Sequence, residues 1–112
     1  MAFYRIETTP GESDQRQSVT LDGVVFGLRF RWNARGAVWI LEVRDAAGAA
    51  LALGVVVRVG HPLLTPRGNR PGLPAGDFMA VDTSGAYRDP TLDDFGTRVE
   101  IQYADASELG RG

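Results

Sequence analysis

Phe26-Gly27-Leu28-Arg29-Phe30-Arg31-Trp32-Asn33-Ala34-Arg35-Gly36-Ala37-Val38-Trp39-Ile40-Leu41-Glu42-Val43-Arg44-Asp45 reads as two strands joined by a tight turn. On the first arm Phe26, Leu28, Phe30 and Trp32 share one face while Arg29 and Arg31 share the other, the period-two alternation of a half-buried strand. With the turn centred on Ala34-Arg35, Phe30 pairs with Trp39, Leu28 with Leu41 and Phe26 with Val43, so each facing pair is apolar on one side. A slip of one residue would turn that set out to water, so face and turn together hold the register. The four aromatic residues Phe26, Phe30, Trp32 and Trp39 are read as core rather than as a stacking platform for single-stranded nucleic acid, because Leu28, Leu41 and Val43 are interleaved with them. The opposite face, with Arg29, Arg31, Glu42 and Arg44, mixes both signs and suits cross-strand ion pairs or a polar protein interface.

Outward from the hairpin, 14 glycines and 6 prolines cut the chain into strand-length pieces. That punctuation predicts an all-β fold, an antiparallel β-sandwich or a small β-barrel with little helix, over one domain spanning residues 1–112. Phe3 to Ile6 is a first short strand within an N-terminal arm of residues 1–16, and the polar stretch from Glu7 to Gln15 is expected to be a mobile arm or a loop. A second strand runs from Gln17 to Leu21, and Asp22-Gly23 is a turn. Asp45-Ala46-Ala47-Gly48 is another turn, since Asp bonds nearby backbone and Gly takes positive φ. Ala50 to Val59, apolar apart from Arg58, is expected to be a central strand bent at Gly54, with Val55, Val57 and Val59 on one side. A long loop rich in Pro, Gly, Arg and Asn follows Leu64 and runs through Ala75. Asp77 to Asp82 and Thr97 to Ala104 return to strand character, separated by a turn or short helical turn at Pro90 to Gly96. Residues 105–112 form a polar tail, expected to be frayed or docked on a partner.

Composition narrows the chemistry. The chain has no cysteine, which removes disulfides, thiolate metal sites and cysteine nucleophiles, and its 1 histidine makes a zinc site improbable on ligand count. All 12 basic residues are arginine, a bias that fits a GC-rich genome, and they are scattered rather than run together as a nucleic-acid footprint would be. The net charge of −2 points the same way. The N-terminal residues lack a basic segment followed by an apolar run, and no stretch nears the roughly 20 apolar residues of a membrane span. A soluble product made in the cytoplasm is the expectation.

Asp93 and Asp94, with Asp89 close by, form the one paired-carboxylate arrangement, which a small hydrolase could use as general acid and base. The preferred reading is structural: in Asp89-Pro90-Thr91-Leu92-Asp93, Asp89 or Thr91 caps a helical turn that carries acids in its first positions. The spacing of a calcium loop is missing. His61, before Pro62, faces a loop or a neighbouring chain rather than serving as a base. The serines lack the Gly-x-Ser-x-Gly turn of a nucleophile elbow, and Gly72 and Gly76 do not follow a strand into a helix with phosphate-loop spacing. No enzymatic activity, cofactor or metal is therefore expected.

The order and spacing of several segments resemble those of the phage baseplate plug protein family, small tail proteins of the contractile-tailed cyanophage type. The resemblance runs from about Gln17 to Tyr103. Its segments are Arg29-Phe30-Arg31-Trp32-Asn33, Trp39 through Gly48, Val59-Gly60-His61-Pro62-Leu63-Leu64, Leu73-Pro74-Ala75-Gly76-Asp77-Phe78, and Asp93-Asp94-Phe95-Gly96-Thr97-Arg98-Val99. The resemblance implies a structural virion component at the distal end of the tail, plugging or lining the tube and hub. Its partners would be other tail and baseplate proteins (hub, tube, needle) and further copies of itself in a ring, with no membrane or specific nucleic acid. Interface residues expected on this reading are His61, Arg67, Asn69, Arg70, Arg29 and Arg31. The competing reading is a monomeric small β-barrel that binds nucleic acid, a peptide or a small ligand.

Overall fold

The computed structural model describes residues 3–64 and 72–105. Seven strands appear in order: β1 (Phe3–Ile6), β2 (Asp14–Leu21), β3 (Val24–Asn33), β4 (Val38–Asp45), β5 (Ala50–Val56), β6 (Asp77–Asp82) and β7 (Val99–Ala104). They form two antiparallel sheets, β1-β7-β6 and β2-β3-β4-β5. The architecture is thus the sandwich of the two expected alternatives, and the fold is all-β.

The central hairpin forms, but its register is displaced by two residues from expectation. Leu28 faces Val43, Phe30 faces Leu41 and Trp32 faces Trp39. The connection is the longer Ala34–Ala37 rather than a turn centred on Ala34-Arg35. Asn33 Oδ1 accepts the Gly36 N–H at 3.1 Å, and Ala37 takes a left-handed φ of 54°. A displacement of two keeps every side chain on its predicted face, so face alone could not distinguish the two registers. The Asp22-Gly23 turn holds as expected, with both residues at positive φ, the geometry of a two-residue hairpin loop. At the next turn Asp45 Oδ1 accepts the N–H groups of Ala47 and Ala49.

Three boundaries differ from the sequence reading. β2 starts at Asp14 rather than Gln17, because the buried Gln15 side chain fastens the preceding loop: it accepts the Thr9 N–H and donates to the carbonyls of Thr9 and Glu12. The residues between β1 and β2 thus form a loop, the second of the two forms expected there, held by Gln15 at Thr9 and Glu12. β5 is an edge strand and not a central one, and it stops at Val56. The Val57 N–H still reaches the Trp39 carbonyl, and Val59 then bridges Ala80 of β6. Val55, Val57 and Val59 are buried because the chain crosses between the sheets there, which is why the run reads as continuously apolar. Finally, β7 begins at Val99 rather than Thr97, and the connection at Pro90 to Gly96 is a turn, one of the two forms expected there. Asp105 is buried instead of opening a frayed tail, and the rest of that tail lies outside the described residues.

Both sheets turn their apolar faces inward. Trp39 lies at the centre, fully buried, with Phe95 stacked on it at 4.5 Å between ring centroids and Trp32 edge-on at 5.6 Å. Phe30 meets Phe95 edge-on at 5.2 Å. Such aromatic contacts add roughly 0.5–1.5 kcal/mol each beyond burial. Phe95 comes from the 91–98 connection, which closes one end of the sandwich while the Thr91 carbonyl accepts the Trp39 indole N–H at 3.0 Å. Gly96, at φ 106°, lets the Thr8 backbone come close: a side chain there would run into the Thr8 carbonyl. The two sheets are fastened at the other side by Tyr103 of β7, whose hydroxyl donates to Asp22 Oδ2 and accepts the Gly76 N–H, both at 2.7 Å.

Candidate functional site

The residues with charge to offer gather on the outward face of β2, β3 and β4. Alternation in a strand sends Phe26, Leu28 and Phe30 to the core, so Gly27, Arg29 and Arg31 point away from it. Register then fixes the neighbours. Arg29 stands between Arg16 and Glu42, Arg31 between Asp14 and Ile40, and Gly27 between Ser18 and Arg44.

Two carboxylates organise the arginines. Asp14 takes Arg29 in a two-pronged pair, Nε to Oδ1 at 3.0 Å and a terminal nitrogen to Oδ2 at 2.7 Å. The hydrogen bond from Arg29 is the main cause that holds the Asp14 carboxyl below its usual range, and Asp14 in turn raises Arg29. Glu42 is sunk beneath the guanidinium groups, its side chain 7% exposed, with Arg44 at 3.1 Å, Arg31 at 3.3 Å and Arg29 at 3.7 Å. Arg16, Arg31 and Arg44 remain 71%, 48% and 41% exposed. A depression of about 500 Å³ opens over Gly27, lined by Arg16, Gln17, Ser18, Leu28, Arg29 and Arg44.

Of the residues expected at an interface, the fold brings Arg29 and Arg31 together. His61 is exposed in a different place, on the segment running beside β6. Arg67, Asn69 and Arg70 lie outside the described residues. Arg16 and Asp14, which complete the charged face, lie ahead of Gln17, the start expected for β2. The alternation Asp14, Arg16, Ser18 was the available signal.

The acidic group at Asp89, Asp93 and Asp94 does not converge. Asp89 accepts the Val59 N–H at 2.8 Å and pairs with Arg58 at 3.3 Å. Asp94 accepts the Thr91 N–H at 2.6 Å and Arg98 Nε at 2.9 Å. Asp93 is exposed. No helix forms for Asp89 or Thr91 to cap, which corrects the capping assignment: Asp89 ties its loop to the segment after β5, and Asp94 ties the turn at Thr91 to Arg98. Arg98 is the hub of that tie, pairing with Asp82 and Asp94 and donating to the carbonyls of Arg88 and Asp89. Tyr87 stands beside this loop at φ 57° and 67% exposed. Among the described residues no three His, Cys, Asp or Glu side chains group as metal ligands do.

The class defined by these features is a small two-sheet β-sandwich whose polar chemistry is spread over a sheet face. The model of one family, described as cyanophage baseplate Pam3 plug gp18, matches residues 3–106, and the chain belongs to that family. Membership makes it a phage baseplate protein of structural kind. No curated protein matches the chain.

Proposed function

We propose that this chain is a non-enzymatic part of the tail baseplate that plugs or lines the distal end of the tube at the hub. The observation that carries the reading is the extent of the family match, which takes in all seven strands. Tail parts around a tube follow its rotational symmetry, so several copies form a closed ring and contact hub, tube and needle proteins. The charged face with Arg29 and Arg31, the exposed His61 and the loop bearing Arg67, Asn69 and Arg70 serve as contact surfaces. Free strand edges add to them. β5 presents an uncharged edge of Ala, Leu, Gly and Val, and such edges accept a neighbour's strand. The chain is made in the host cytoplasm and ends in the virion.

Immunogold electron microscopy of purified particles, or of tails from an induced lysogen, tests this. Label confined to the distal tip is expected. Absence of label from virions, with expression and epitope access controlled, would overturn the reading in favour of a soluble binding module. Deletion of residues 65–75 is expected to reduce incorporation into tails, and normal incorporation would remove that loop from the contacts.

A further inference from the structure

The charged face has the geometry of a grid. Strands lie about 4.8 Å apart and same-face side chains about 6.7 Å apart along each strand. Arg16, Arg29 and Glu42 form one row, with Ser18, Gly27 and Arg44 beside it and Asp14, Arg31 and Ile40 on the other side. Four arginines meet two carboxylates on a chain whose net charge is −2. Glu42 and Asp14 hold Arg29 on both sides, whereas Arg16, Arg31 and Arg44 each touch one carboxylate, Arg44 also donating to the Gly48 carbonyl, and all three stay partly exposed. Gly27 leaves the middle of its row without a side chain, so the face is furrowed between Arg16, Arg29 and Arg44. A Cβ there would meet only Arg44, at 3.9 Å.

We infer that this furrow docks an extended acidic segment of a partner protein, with carboxylates four residues apart meeting Arg16 and Arg44. The inference rests on the baseplate reading and adds the chemistry of the partner. Same-face side chains four residues apart on an extended chain are about 13 Å from each other, close to the diagonal of two strand spacings and one row that separates Arg16 from Arg44. Guanidinium groups take carboxylates in two-pronged pairs, and Glu42 already orients Arg44 and Arg31 for that task. Ser18 lines the furrow with a hydroxyl able to bond a peptide backbone. A polynucleotide suits the face less. Its evenly charged backbone would lie against Asp14 and Glu42 as well as the arginines.

Fluorescence anisotropy of the full chain tests the inference with three labelled probes: a peptide alternating Glu and Ser, its Gln and Ser counterpart, and a single-stranded oligodeoxynucleotide of equal charge. The acidic peptide is expected to bind, more weakly as salt rises, and the neutral one about tenfold less well. The pair Arg16→Glu with Arg44→Glu is expected to lose about tenfold in affinity. Gly27→Leu, which fills the furrow and leaves charge unchanged, loses binding too. Arg35→Glu with Arg88→Glu, which removes the same charge elsewhere, keeps it. Equal binding of the neutral peptide or the oligonucleotide, or equal loss in the Arg35 and Arg88 variant, overturns the inference. Thermal melts check that each variant folds, and if Gly27→Leu does not, the two double reversals decide. Tails carrying the Arg16 and Arg44 reversal separate the two levels. Normal incorporation of that chain overturns the docking role and leaves the baseplate reading standing, whereas absence of the wild-type chain from tails overturns the baseplate reading itself.

Discussion

Replacing Tyr103 with Phe removes one oxygen atom and isolates the bond that ties the two sheets. The ring stays packed against Phe78, 5.2 Å between centroids, so no cavity of consequence opens. Lost are the hydrogen bond to the Asp22 carboxylate and the one from the Gly76 N–H, each 2.7 Å long. A hydrogen bond to a charged group contributes about 1.5–3 kcal/mol, and leaving a buried N–H without an acceptor costs about 1–3 kcal/mol. Asp22 is exposed and water replaces part of its share, so the net loss is set at about 2–4 kcal/mol. Urea unfolding of both chains measures it, with an unchanged m-value expected because the surface buried is the same. In thermal unfolding the midpoint should fall by about 10–20 °C. A second signature is the response to alkali. Burial, with the Asp22 carboxylate adding to it, pushes the Tyr103 hydroxyl well above its usual value of 10.0. The unfolded chain therefore releases this proton near pH 10 while the folded chain holds it, so the contribution is full below that pH and declines as pH rises further. Tyr103→Phe should lack that decline. A loss under about 0.5 kcal/mol, with identical alkaline profiles, would refute the claim that Tyr103 fastens the sheets.

Three further outcomes are expected. Phe95→Ala, which empties the ring position stacked on Trp39, should cost about 3–5 kcal/mol in chemical denaturation and weaken the near-ultraviolet dichroism of the tryptophans. Asp82 is held well below the usual carboxylate value of 3.8, first by the Arg88 N–H and then by Ser84. Burial pushes Asp94 up, but Arg98 and the Thr91 N–H together bring it below that value. Both carboxylates therefore stabilise the fold above about pH 4 and lose that contribution as pH falls through their folded values, so Asp82→Asn with Asp94→Asn should flatten the melting temperature between pH 5 and pH 2, about the range over which paired carboxylates titrate. Ala37→Gly relieves a left-handed backbone at φ 54° and should stabilise the protein by about 0.5–1 kcal/mol in the same urea assay, with a loss of stability speaking against strain at the hairpin tip.

Several features were legible in the sequence because they are local. Alternation named the core face of β3 and β4 correctly, and Asp22-Gly23 and Asp45 to Gly48 marked their turns, since the residues that make those bonds lie within a few positions of each other. Arg29 and Arg31 were placed on the outward face by the same alternation. Other features were not local. The hairpin register depended on how many residues the loop takes, and two registers of equal parity bury the same faces. Ala50 to Val59 read as central because it is apolar, while its burial comes from a crossing between sheets. Asp89 read as a cap from its place before Pro90, because its partner Val59, 30 residues away, is set beside it only when the loops close on the sheets.

By itself the sequence determined that this is an antiparallel all-β protein, which faces of its central hairpin meet core and solvent, and, through the order of its segments, its family resemblance. These follow from period-two burial and turn chemistry, which act between neighbours along the chain. The tertiary structure alone decided that the sheets form a sandwich, that Phe95 and Tyr103 close and fasten it, and that Arg29, Arg31 and Arg44 converge on Glu42 beside the gap at Gly27. Those relations join residues far apart in sequence, and no local propensity specifies them: they are settled by which packing buries the apolar faces together while giving each inward polar group a partner.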